Sequence, residues 1–220
     1  MKADENSWAV LEYILLNCSG ASSPLMGNPL EHRSIAAVAQ ESPFVDVALS
    51  VAEKLFCRPI RVVRGAPLLY EITVNNSLEV MTQEQIRHPK RGASAFQTDL
   101  CILEEKSPDV TIPRVVLEFK TKITTHDILT YSAKATKHKQ IYPYLRYGII
   151  ASEERKVPRR FFTHNDGLDF FVSVAGLDGH SFEKFLEKFL VAEIASSQRL
   201  EEIAFGSTET RVFRNEVDLW

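Results

Sequence analysis

An apolar run that ends in charged residues is the feature of this sequence that most constrains its fold. Residues 113–120 read Pro-Arg-Val-Val-Leu-Glu-Phe-Lys, which is typical of a buried β-strand. Because side chains alternate between the two faces of a strand, Glu118 and Lys120 point to one face while Leu117 and Phe119 point to the other. The sequence therefore predicts a carboxylate and an ammonium group side by side at one end of a buried strand.

A second strand-like segment, residues 96–103, precedes this run and contains Asp99. A short antiparallel connection between the two segments places Asp99 beside Glu118. Two carboxylates and a lysine at strand ends suit a hard divalent cation next to a phosphodiester. The alternative interpretation is a cross-strand ion pair on an exposed strand face, with Asp99 nearby by chance.

The pattern Thr98-Asp99, an intervening stretch and then Glu118-Phe119-Lys120 resembles the PD-(D/E)XK nuclease superfamily, with Thr98 in the place of the usual proline. Residues 140–144, from Gln140 to Tyr144, are similar to the Gln-x-x-x-Tyr pattern of the RecB-like branch. The resemblance spans residues 44–152. It implies an α/β fold with a restriction-endonuclease-like core, in which α-helices flank a mixed central β-sheet.

The resemblance also implies a catalytic set of Asp99, Glu118 and Lys120. The two carboxylates and the Phe119 carbonyl are then the ligands of Mg²⁺, for which Mn²⁺ can substitute, and Lys120 orients the attacking water or offsets developing negative charge. Two further acids compete for a place in this site. Glu53 lies on a predicted helix at 43–57, and Glu71 lies within a predicted strand at 68–74, whose hairpin partner is predicted at 78–82. A further helix is predicted from Thr124 or Thr125 to about Gln140. Gln140 and Tyr144 are expected to approach the metal or the DNA, although a helix end packed near Pro143 explains them as well.

The charge of the chain is polarised along the sequence. The formal net charge is -3, yet residues 114–160 hold 11 Lys or Arg against 4 Asp or Glu, while the rest of the chain holds 15 against 25. A basic region around the proposed site favours contact with a phosphate backbone, and a surplus of solvated lysines is the alternative. The residues expected to bind DNA are Lys122, Lys134, Lys137, Arg155, Lys156, Arg159 and Arg160.

Length and composition favour one domain. With 220 residues and 45% hydrophobic residues the chain can bury one sizeable core. We expect a nuclease domain over 1–220, with its core at about 44–152, an added helix at 8–17, and a C-terminal addition within 168–203 that consists of a strand at 168–174 and a helix at 182–203. Neither a signal peptide nor a membrane span is indicated, and three widely spaced cysteines predict free thiols, so a cytoplasmic protein is expected.

These observations together predict a Mg²⁺-dependent endonuclease that cuts double-stranded DNA, similar to a type II restriction endodeoxyribonuclease and acting in restriction, defence or repair. A homodimer is expected if both strands are cut, because a two-fold axis presents one site to each antiparallel strand. One alternative is a RecB-like exonuclease or a structure-specific nuclease subunit. Another is a non-catalytic module with the same fold that binds DNA or a protein partner.

Overall fold

The structure of the protein is a computed structural model that describes residues 41–207, 209 and 210. The helix expected at 8–17 lies outside the described residues. The elements follow one another as α1 (Glu41–Leu55), β1 (Ile60–Arg64), β2 (Pro67–Leu69), α2 (Gln83–Arg87), β3 (Ala95–Gln97), β4 (Leu100–Ser107), β5 (Val110–Lys120), α3 (Thr125–Ile141), β6 (Arg146–Ala151), α4 (Arg159–His164), β7 (Phe170–Ser173) and α5 (Gly179–Phe205).

A mixed five-stranded sheet forms the centre of the molecule. Its strand order is β1-β4-β5-β6-β7, and β2 and β3 form a separate two-stranded sheet. The β1–β4 and β4–β5 pairs are antiparallel, whereas β5, β6 and β7 run parallel. The helix α3 connects β5 to β6, as a parallel pair requires a crossover. The predicted α/β class with a mixed central sheet flanked by helices is confirmed.

Two apolar clusters lie on opposite faces of this sheet. On one face α1 and α5 pack on Leu117 and Phe119, and on the other face α3 and α4 pack on Val116, Tyr147 and Ile149. The alternation predicted for residues 113–120 accounts for this division, because neighbouring residues of β5 contribute to different clusters. The strand β7 and the helix α5, expected as additions, are part of this sheet and this core.

The strand expected at 96–103 is interrupted just before Asp99. The chain leaves the small sheet after Gln97 and enters the central sheet at Leu100. Buried Thr98 fixes the junction, because its backbone N–H and its hydroxyl both donate to the Ala66 carbonyl at 3.0 Å. These two hydrogen bonds therefore fix the backbone immediately before Asp99.

Several other expectations are corrected. The strand predicted at 68–74 is limited to β2, and its expected partner strand at 78–82 is reduced to a single bridge between Val74 and Val80. Cys101 is a buried free thiol as expected, but Cys57 is disulfide-bonded. No helix within the described part of the chain is both long enough and apolar enough to span a membrane.

Candidate active site

Asp99 and Glu118 are neighbours at one end of the β4–β5 pair. The register pairs Leu100 with Leu117, so the next position along brings Asp99 opposite Glu118. The Asp99 Oδ2 accepts a hydrogen bond from the Phe119 backbone N–H at 2.9 Å, and the two carboxyl groups are hydrogen-bonded to each other. The structure thus brings together the two acids that the sequence indicates.

Glu118 lies in an environment that disfavours its negative charge. It is 1% exposed, the Tyr147 hydroxyl donates to its Oε1, and the Lys134 Nζ stands 3.9 Å from the same oxygen. Burial, together with the charge of Asp99, raises the pKa of Glu118 to about 8, although Lys134 and Tyr147 act in the opposite direction. At neutral pH the Glu118 carboxyl therefore keeps its proton.

Lys120 lies on the same face of β5 as Glu118, two residues further on. Its Nζ is 5.6 Å from the centre of the Tyr131 ring, and the Tyr131 hydroxyl forms a hydrogen bond with Lys120. Burial, then the charge of Glu118, raises the pKa of Tyr131 to about 12. The Tyr131 hydroxyl accordingly stays protonated, and its oxygen accepts the hydrogen bond from the Lys120 ammonium group.

Two tyrosines of the site were missed by the sequence analysis, and Lys134 was expected elsewhere. Lys134 was expected on a DNA-contacting surface, but it faces Glu118. Tyr131 and Lys134 are three residues apart on α3 and therefore share a helix face, which is a signal that the sequence does contain. Tyr147 is brought to Glu118 by the parallel β5–β6 pairing. No local pattern indicates that register.

Neither Glu53 nor Glu71 joins the pair. Glu53 is exposed on α1, which packs on the face of the sheet opposite to Glu118. Glu71 accepts a hydrogen bond from the Ser94 hydroxyl at 3.2 Å. Among the residues that the structure describes, no group of three or more His, Cys, Asp or Glu side chains could hold a metal ion. The expected third acidic ligand is thus not supplied by these two residues.

Gln140 and Tyr144 lie away from the carboxylates. Lys134 already contacts Glu118, and Gln140 is exposed six residues later, about 9 Å further along the axis of α3. Tyr144 is buried, with its ring 5.4 Å from the Arg114 guanidinium carbon and 6.1 Å from the Phe205 ring. The structure does not place the two residues of the RecB-like pattern in the candidate site.

The remaining basic residues surround the site without entering it. Lys122 follows β5, and Arg155 and Lys156 follow β6, so all three lie at the edge of the sheet where Lys120 ends β5. Lys122 is 76% exposed and 3.4 Å from Glu153. The exposed members of the predicted DNA-binding set are Lys122, Lys137, Arg155, Lys156 and Arg159, whereas Arg160 pairs with Glu154 at 3.3 Å. Lys122, Arg155 and Lys156 therefore add positive charge at this edge of the sheet, beside the acidic Glu153.

The donor set is suitable for a hydrated Mg²⁺ ion. Mg²⁺ is commonly held by one or two carboxylates and keeps several of its waters. Asp99 and Glu118 supply the carboxylates. The Phe119 N–H points toward Asp99, so the Phe119 carbonyl faces the same neighbouring strand. The proton on Glu118 is the one that a cation would displace.

No protein-family model matches this sequence, and a search of curated proteins finds no relative. Any statement about the activity of the protein therefore depends on the geometry of the site and on the sequence motif.

Proposed function

We propose that this protein is a Mg²⁺-dependent nuclease with a restriction-endonuclease-like core, and that it hydrolyses DNA phosphodiester bonds. The proposal depends on one observation. Glu118 and Lys120 lie on the same face at the carboxyl end of β5, and Asp99 lies opposite Glu118 on the neighbouring chain segment. The order of elements supports it as well, since α1 is followed by the antiparallel β4–β5 pair, the crossover helix α3 and the parallel strand β6.

Each residue of the site has a defined task in this proposal. Asp99, Glu118 and the Phe119 carbonyl hold the cation, which when bound lowers the pKa of a water and neutralises charge on the phosphate. Lys120 orients the attacking water or stabilises negative charge in the transition state. Tyr147 and the Phe119 N–H fix the oxygens of Glu118 and Asp99, so the acids are positioned before substrate arrives.

The basic edge of the sheet supports DNA as the substrate. Exposed Lys122, Arg155 and Lys156 follow the ends of β5 and β6 at the same edge as the acid pair. Contacts from such side chains to phosphates fix the position of a duplex without reading its sequence. A homodimer remains our expectation for cleavage of both strands, with a cytoplasmic location.

The test is incubation of the protein with supercoiled plasmid, linear duplex and single-stranded DNA in Mg²⁺, Mn²⁺ or EDTA, followed by mapping of the ends. We expect divalent-dependent cleavage, and we expect Asp99→Asn and Lys120→Met each to reduce the rate at least about 100-fold. Asp109→Asn, in the turn at the other end of the β4–β5 pair, and Lys184→Met, exposed on α5, are matched controls that should cleave normally.

Two outcomes would contradict the proposal. DNA binding without cleavage in any divalent metal would favour the non-catalytic module. Equal cleavage by the Asp99→Asn variant and the wild type would place the activity elsewhere or in a contaminant. Removal of nucleotides only from free ends would keep the site but favour the exonuclease alternative.

A further inference from the structure

The side of α3 that faces the sheet has an unusual composition. Its buried positions Ile128 and Ala135 make the apolar contacts expected of a crossover helix. Between them, Tyr131 and Lys134 face the acid pair. Lys134 is 25% exposed, and its Nζ lies 3.9 Å from Glu118 Oε1 and 5.9 Å from the centre of the Phe96 ring. A lysine held in this way is directed to the site rather than to solvent.

Tyr131 holds two lysines at the same site. Its ring centre is 5.6 Å from the Lys120 Nζ and 5.0 Å from the Lys134 Nζ, distances at which a cation is attracted to an aromatic face. Lys120 belongs to β5 and Lys134 to α3, so the two ammonium groups come from different elements. Tyr131 is therefore a positioning residue for both of them.

The described site offers few ligands for a second metal ion. Its acids are Asp99 and Glu118, and two ammonium groups, those of Lys120 and Lys134, lie on the same side of the sheet. Two-metal sites hold their ions about 3.5–4 Å apart and need several oxygen ligands to do so. The described residues supply one pair of acids and no group of three potential ligands. Lys134 stands where its charge acts on anything that Glu118 binds.

We propose that the site holds one divalent cation per chain and that Lys134 supplies the second positive charge at the scissile phosphate. This inference rests on the proposed nuclease function. It assigns Lys134 to the reacting phosphate, whereas the exposed lysines and arginines at the edge of the sheet contact flanking phosphates.

The first test is a titration with Mn²⁺ alone, without DNA, in which free Mn²⁺ is followed by electron paramagnetic resonance. We expect the wild-type protein to bind one Mn²⁺ per chain. Two ions of comparable affinity per chain would overturn the inference, whatever the variants show. This measurement needs no cleavage, so its failure is distinguishable from failure of the proposed nuclease function.

The second test uses Lys134→Met, which keeps the length of the side chain and removes its charge. Because a fixed ammonium repels a divalent cation, we expect the variant to bind Mn²⁺ at least about fivefold more tightly once the affinities are corrected, from their pH dependence, for the proton that Glu118 releases. Lys134→Arg retains the charge and should bind within twofold of the wild type, and so should Lys137→Met, which is exposed on the same helix. Unchanged or weaker Mn²⁺ binding by a folded Lys134→Met protein would overturn the inference.

A third measurement examines the phosphate. In the presence of Ca²⁺, which binds to oxygen ligands, fluorescence anisotropy reports binding of a short labelled duplex. We expect Lys134→Met to weaken binding at least about tenfold more than Lys137→Met. Equal losses in the two variants would show that Lys134 is an ordinary backbone contact. Should Lys134→Met not fold, Lys134→Gln provides the same comparison.

Discussion

The strand β5 carries two buried clusters of charged residues, and the clusters behave in opposite ways. Near the middle of the strand Arg114 is 0% exposed, and near its carboxyl end Glu118 is 1% exposed. The Arg114 Nε donates to Glu104 at 2.5 Å, and its guanidinium also bonds Glu201 and Ser197. Although burial opposes it, Arg114 lowers the pKa of Glu104 and of Glu201. Burial and Asp99 instead raise the pKa of Glu118.

The two clusters have the same formal charges, so composition does not explain the difference. Arg114 and Lys106 face two glutamates, while Lys120 and Lys134 face Asp99 and Glu118. In the Arg114 cluster each acid is bonded directly to a cation. In the candidate site the two acids are instead hydrogen-bonded to each other, and the Lys134 Nζ lies 3.9 Å from the Glu118 Oε1. The first arrangement stabilises the fold, whereas the second leaves a place for a ligand.

Arg114→Met should give the largest effect. Loss of the guanidinium leaves Glu104 and Glu201 without their principal partner, and breaking a buried ion pair from one side costs about 3–5 kcal/mol. We expect urea denaturation to show a decrease of this size in the free energy of unfolding, with the cleavage rate per folded molecule unchanged. A loss below about 1 kcal/mol would remove the distinction between the two clusters.

Glu118→Gln tests the cluster at the carboxyl end of β5 through the pH dependence of its free energy of unfolding. In the metal-free protein the folded state retains a proton on Glu118 that the unfolded state releases above pH 4.5, so stability from this group falls as pH rises until about pH 8. We expect the stability of Glu118→Gln relative to wild type to increase by up to about 1.4 kcal/mol per pH unit between pH 5 and 8, and then to level off. Urea denaturation in EDTA at several pH values across this range measures the difference in free energy of unfolding between the two proteins. A difference that does not change with pH would contradict the raised pKa of Glu118.

Tyr147→Phe removes one hydrogen bond and leaves the ring in the core. Since a typical hydrogen bond contributes about 0.5–1.5 kcal/mol, we expect a loss of that size in the free energy of unfolding. The Tyr147 hydroxyl also lowers the pKa of Glu118, so the pH at which this carboxyl ionises should rise. Infrared titration of the carboxyl band of the metal-free protein measures the pH at which Glu118 ionises. A downward shift would show that Tyr147 does not donate to the ionised Glu118.

Tyr144→Phe and Gln140→Ala should have the smallest effects. The phenylalanine keeps an aromatic ring beside Arg114, and Gln140 is exposed, so we expect each free energy of unfolding to stay within about 0.5 kcal/mol of wild type. The divalent-dependent cleavage rate should not change. A large loss of cleavage in either variant, without loss of stability, would show that this residue of the Gln-x-x-x-Tyr pattern does take part in cleavage.

Periodic segments could be predicted from sequence, and short ones could not. The helices at 43–57 and 182–203 carry apolar residues near a 3.6-residue spacing and correspond to α1 and α5, with ends shifted by two or three residues. The helix predicted from Thr124 or Thr125 to about Gln140 corresponds to α3, where Thr124 caps the helix. The strand β1 and the helix α4 were not predicted, because five or six residues contain too little periodicity.

Sequence alone determined that Glu118 and Lys120 share a face of β5, because alternation along a strand is a property of the backbone. It also indicated that a short antiparallel connection brings Asp99 to them. Tertiary structure alone decided that Tyr131, Lys134 and Tyr147 complete the site, and that the Gln-x-x-x-Tyr residues lie elsewhere. It also set the register shift at which Arg114 is not paired with a β4 residue along the backbone, and it brought the Arg114 side chain to Glu201 of α5. Such contacts depend on strand register and helix packing between distant segments, which no local pattern encodes.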